Sequence, residues 1–112
     1  MKNQETIIRK IGQNRGRSRV WLEGAYLTQA NWVRGVAYDA VFNAKAGLIT
    51  LIKGGSGSRK VCGKAGKHPI IDVCNQQVAD VLAPEGYAEI EVTEDEILIS
   101  LGRRDDRNTT FN

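Results

Sequence analysis

Residues 19–35, RVWLEGAYLTQANWVRG, constrain the fold more than any other stretch, because strand, helix and turn signals follow one another without a break. Residues 20–22 carry the β-branched and aromatic signature of a strand. Residues 25–31 are long enough for about two helical turns, with Leu27 and Ala30 three apart on one face. Gly35 suits a sharp turn in which a Cβ would clash. Residues 36–42 then favour a strand with Val36, Tyr38, Ala40 and Phe42 on one side and Asp39 on the other. Residues 43–47 turn, and residues 48–52 form a second strand.

The plan returns further along. Residues 69–73 read as a short apolar strand, Asn75 as an N-cap for a helix over 76–82, and Gly86 as the end of a turn. Residues 87–92 alternate, with Ala88, Ile90 and Val92 on one face, and 97–101 close a hairpin through a turn at 93–96. Gly35 and Gly86 lie 51 positions apart, and the same shift carries Leu27 onto Val78. Two generic hairpins matching by chance would look much the same. Between the units lie the flexible GGSG of residues 54–57, a short strand over 59–62 and a basic loop over 63–68.

A chain of 112 residues with 41% hydrophobic content suits one soluble domain with a modest core. Its longest apolar run, residues 46–52, falls far short of the roughly 18 residues that cross a bilayer. The N-terminal MKNQETIIRKIGQ lacks the apolar stretch and cleavage site of a secretory signal. Cys62 and Cys74 fit two free thiols in a reducing compartment, so a cytoplasmic location is expected, with no metal and no cofactor.

Charge is strongly segregated. Residues 1–19 carry Lys2, Arg9, Lys10, Arg15, Arg17 and Arg19 against Glu5 alone, and residues 53–68 carry Lys53, Arg59, Lys60, Lys64 and Lys67 with no acid. Residues 69–100 hold eight acids and no Lys or Arg. Such polarity speaks to partners rather than to fold. Residues 1–18, poor in apolar side chains beyond Ile7, Ile8 and Ile11, read as a flexible basic arm, and residues 102–112 as a disordered tail.

The string Val20-Trp21-Leu22-Glu23-Gly24, then Leu27, Ala30-Asn31-Trp32, Gly35 and a hairpin closing on Gly47-Leu48-Ile49, resembles the AbrB and MazE swapped-hairpin superfamily, and within it the SymE-like branch. Tyr26 stands where that branch has tryptophan, and Asn31-Trp32 where it has glycine and phenylalanine. The stretch RKVCGKAGKHPIIDVCN with the 87–101 hairpin is similar to small domains attached to some bacterial and phage cytosine-specific DNA methyltransferases. The resemblance implies a mainly β swapped-hairpin barrel with two short helices, in which half-barrels that cannot bury their apolar faces alone interleave their hairpins. Two copies in one chain, 19–52 and 69–101 joined by the linker 53–68, would make a single-chain pseudo-dimer domain spanning 19–101; a homodimer is the other arrangement. It also implies DNA binding, as a non-enzymatic transcription regulator, or the nucleic-acid activity of a SymE-like toxin.

The charge pattern points the same way independently. Arg9, Lys10, Arg15, Arg17 and Arg19 in the arm and Lys53, Arg59, Lys60, Lys64 and Lys67 near the loop are the candidate phosphate contacts, each releasing counterions on binding. They would converge if both segments lay on one face. Solvation of exposed loops explains the same charges without a ligand. The acidic half offers an alternative: Glu89, Glu91, Glu94, Asp95 and Glu96 would form a protein-binding face, blocking a host defence or nucleic-acid-processing enzyme by imitating DNA, or would simply solvate a sheet.

Catalytic signals are weak. His68 is the single histidine, and Cys62, His68 and Cys74 are too few for a structural zinc site. No Ser-His-Asp or Cys-His arrangement follows from the spacing. In GGSGSRKVCGKAGK the residues after Lys64 and Lys67 are Ala65 and His68, so the phosphate-loop pattern fails. Trp21, Tyr26, Trp32 and Tyr38 can stack on bases, but their spacing assigns them to the core.

Overall fold

The computed structural model describes residues 5–14, 17–55, 57–74, 76–82 and 86–102. The chain is mainly β with two short helices. Strands β1 (Glu5–Lys10), β2 (Gly12–Asn14) and β3 (Arg17–Glu23) precede helix α1 (Ala25–Gln29) and strands β4 (Ala37–Asn43), β5 (Leu48–Lys53) and β6 (Arg59–Lys60). Strand β7 (Ile70–Cys74), helix α2 (Gln76–Val81) and strands β8 (Tyr87–Val92) and β9 (Glu96–Gly102) follow. The expected N-cap Asn75 and most of the expected tail lie outside the described residues.

All pairings are antiparallel and form two sheets, β1-β8-β9-β5-β4-β6 and β2-β3-β7. Their inner faces and the two helices enclose one core. Val20 and Leu22 of β3 and Ile71 and Val73 of β7 come from the small sheet. Tyr38, Ile49, Leu51, Ala88, Ile90, Val92, Ile97 and Ile99 come from the large one. Each such side chain contributes about 1.5–3 kcal/mol when fully buried if it is the size of Val, Leu or Ile. Trp32 closes the core against Tyr38, ring edge to face at 5.8 Å.

The two strand–helix–hairpin units meet twice, along β3–β7 and along β5–β9. The registers equate Tyr38, Ala40 and Phe42 of β4 with Ala88, Ile90 and Val92 of β8. They equate Ile49 and Leu51 of β5 with Ile97 and Ile99 of β9, and all these side chains face or pack against the core.

Two expectations are corrected. The large sheet keeps two edges, β1 and β6, and is not closed as a barrel. Strand β6 has only two residues; Val61 still exchanges backbone bonds with Gly35 and Val36, and Cys62 then bridges to Ile70 at the start of β7. The supposed arm is the second correction, since residues 5–10 and 12–14 are strands. Strand β1 covers the edge of β8 that would otherwise leave a row of backbone groups unpaired. Buried Ile11 donates its N–H to the Gly86 carbonyl at 3.0 Å, tying the segment to the second unit.

Candidate nucleic-acid interface

Strand alternation decides what the small sheet presents outward. With Val20 and Leu22 turned inward, Arg19, Trp21 and Glu23 must point the other way, and their cross-strand partners Cys74, Asp72 and Ile70 share that face. Trp21 is therefore 40% exposed, correcting its assignment to the core. Trp32 and Tyr38 are buried as expected, and Tyr26 is half-buried.

The outward side chains hold one another in place. The Arg19 guanidinium lies 4.4 Å from the Trp21 ring centroid and donates two bonds, each 3.0 Å, to the Asp72 carboxylate. That hydrogen bonding, more than simple charge attraction, raises the Arg19 pKa, against a smaller loss from desolvation. The Trp21 Nε1–H donates to Glu23 Oε1 at 3.0 Å. The Glu23 backbone N–H donates to the Tyr26 hydroxyl at 3.1 Å, and Arg9 stands 5.9 Å over the Tyr26 ring. Gly24 makes this return possible. Its φ of 153° and the Tyr26 ring, 2.9 Å from where a Cβ would sit, leave no room for a side chain. The result is a strip of two arginine–aromatic stacks, Arg19–Trp21 and Arg9–Tyr26, joined through Glu23.

The other expected cations divide by their structural duties. Lys53 faces inward, donating to the carbonyls of Ala30 and Asn31 at 3.3 and 3.0 Å and standing 5.1 Å over Trp32. Its pKa is lowered by desolvation, with Glu94 and Asp95 pulling the other way. It caps the end of α1 rather than facing a ligand. Lys60, Lys64 and Lys67 are exposed and make no ion pair among the described residues. Their segment is anchored at both ends: Asp39 Oδ1 accepts from the Ser58 N–H and hydroxyl at 3.2 Å, and Cys62 exchanges backbone bonds with Ile70. Arg59 pairs across from Tyr38 at the same edge. Arg15 lies outside the described residues, and Arg17 lies in β3, next to β2.

The two basic segments do not share an edge. Arg9 and Lys10 end β1, whereas Arg59 and Lys60 form β6 at the opposite side of the large sheet. Five strand spacings separate those edges within the large sheet. The acidic candidates divide likewise. Glu94 accepts a 2.8 Å bond from the Asn31 amide. The Asp95 carbonyl accepts from the Lys53 backbone N–H at 3.0 Å. Glu89, Glu91 and Glu96 occupy the side of the large sheet opposite the buried Ala88, Ile90 and Ile97. Sequence reasoning missed Trp21 as a surface group, although the alternation of Val20 and Leu22 already held the signal; Tyr26 packs against the core as expected.

No protein-family model, curated protein or solved structure matches the chain.

Proposed function

We propose that the protein binds nucleic acid, DNA in the first instance, as a non-enzymatic regulator of the swapped-hairpin kind in single-chain, pseudo-dimeric form. The observation that carries this reading is the anchored basic segment, where Lys60, Lys64 and Lys67 project unpaired among the described residues from a stretch that contains no acid. A segment held at Ser58 and by the Cys62–Ile70 bridge loses less freedom on meeting phosphates than a floppy tail would. The swapped-hairpin part of the reading draws support from the two strand–helix–hairpin units joined along β3–β7 and β5–β9. The DNA-binding part draws on charge and on the sequence resemblance.

The test is anisotropy of a labelled random-sequence duplex across a salt series. Binding should weaken steeply with salt, and replacing Lys60, Lys64 and Lys67 with Gln should flatten the log–log slope by about 2–3, near 0.9 for each phosphate no longer neutralised. Absence of binding at low salt, to duplex and single strand alike, sinks the proposal. A second reading, inhibition of a nucleic-acid-processing enzyme through the acidic face, is favoured by the shared outward side of Glu89, Glu91 and Glu96. It would then be tested by neutralising those three residues.

A further inference from the structure

We propose that Trp21 is a stacking platform for an unpaired base, so that the preferred ligand is single-stranded rather than duplex DNA. This deepens the nucleic-acid reading above and rests on it. An indole exposed on the outer face of a three-stranded sheet leaves apolar surface in water, while the other tryptophan of the chain is fully buried. The exposed ring is also immobilised. Its N–H is held by Glu23, and its π-system is covered on the Arg19 side by a guanidinium clamped through two bonds to Asp72. A ring already fixed in one orientation gives up little side-chain entropy when a flat partner lands on it.

The local charges define the partner. Arg19 and Asp72 cancel one another, and Glu23 adds a carboxylate at the indole edge, so this spot offers an exposed ring and not a phosphate cradle. Phosphates are left to Lys60, Lys64 and Lys67, unpaired among the described residues, whose segment leads into β7 at the end of the small sheet where Ile70 faces Glu23. A separate aromatic platform and basic track is the arrangement that single strands use, because an unpaired base shows its face and a base inside a duplex does not. Tyr26 with Arg9 lies next along the strip, joined to it through Glu23.

The experiment titrates the full chain with a single-stranded thymidine oligonucleotide of about 15 nucleotides, a length within the usual range for such sites. A random-sequence duplex of equal length serves as the second ligand at the same salt. Both anisotropy and tryptophan emission are read. The single strand should bind about tenfold more tightly and quench emission, and Trp21→Ala should lose about tenfold on the single strand alone, the range expected for one stacked base. The Lys60, Lys64 and Lys67 variants should weaken both ligands together. Equal affinity for both ligands with no effect of Trp21→Ala overturns the platform and leaves the nucleic-acid reading standing. No binding of either ligand at low salt overturns both. Should Trp21→Ala fail to fold, Trp21→Phe decides: a several-fold loss confined to the single strand supports the platform, and unchanged binding of it overturns it.

Discussion

Tyr38 shows how much one buried side chain records about its surroundings. Burial is the main cause raising its phenol above the usual value near 10; Arg59 opposes this, while Cys62 and Asp72 add to it. The folded chain therefore keeps a proton that the unfolded chain releases. The associated stability is complete below the ordinary tyrosine value and falls as pH rises through it. Tyr26, raised chiefly by burial as well, adds to that fall. Lys53 acts in the opposite sense: its pKa is depressed on folding, so the charged form is penalised in the folded state and that penalty lifts as pH approaches its ordinary value. Urea midpoints measured from about pH 8 to about pH 11 should decline above about pH 10, and less steeply in Tyr38→Phe. Identical slopes would show that burial does not hold the proton. Tyr38 was legible as core from its alternation with Ala40 and Phe42. Trp21 was not: its spacing suggests core, but Val20 and Leu22 on either side are both buried, and strand alternation then turns the residue between them outward.

At the scale of elements, α1 is fixed more by what its end touches than by its own five residues. A helix this short is marginal by itself. Asn31 follows it with φ of 64°, and its amide bonds Glu94 in the β8–β9 turn. Trp32 then donates Nε1–H to the Thr93 carbonyl at 2.8 Å, and Lys53 caps the Ala30 and Asn31 carbonyls. The first unit's helix is thus locked onto the second unit's hairpin. Two substitutions separate the causes. Both Asn31→Gly and Asn31→Ala remove the bond to Glu94, but only alanine must hold the left-handed conformation, at about 1–2 kcal/mol. The alanine variant should melt below the glycine variant in thermal or urea unfolding; the reverse order would show that the conformation carries no strain. Local signals revealed the hairpins and both helices, since periodicity is local. They concealed β1, whose pairing of Glu5 with Val92 joins distant parts of the chain and depends on an edge that no nearby residue announces.

The whole molecule is where sequence reading reached least far. The acid-free stretch and the basic N-terminal stretch were plain in the sequence, but their placement at opposite edges follows from strand order, which charge does not encode. The same strand order yields a test of the paired design. Cutting after Gly55 separates β1 from β8, β3 from β7, β5 from β9 and β4 from β6. Val20, Leu22, Ile71 and Val73 would each lose facing apolar neighbours. At about 1.5–3 kcal/mol apiece for full exposure, these four alone rival the roughly 5–15 kcal/mol that holds a whole domain together. Fragments 1–55 and 56–112 should therefore each unfold without a cooperative transition. Their equimolar mixture should recover the β-sheet circular dichroism and a single concentration-dependent melt, as two chains forming one core must. If fragment 1–55 folds alone, its hairpin and helix bury enough surface without the second unit, and the paired organisation is not what stabilises the chain. If the mixture stays unfolded while the intact chain is stable, the segment across residues 54–58 contributes more than connection, and the hold of Asp39 on Ser58 becomes the place to look.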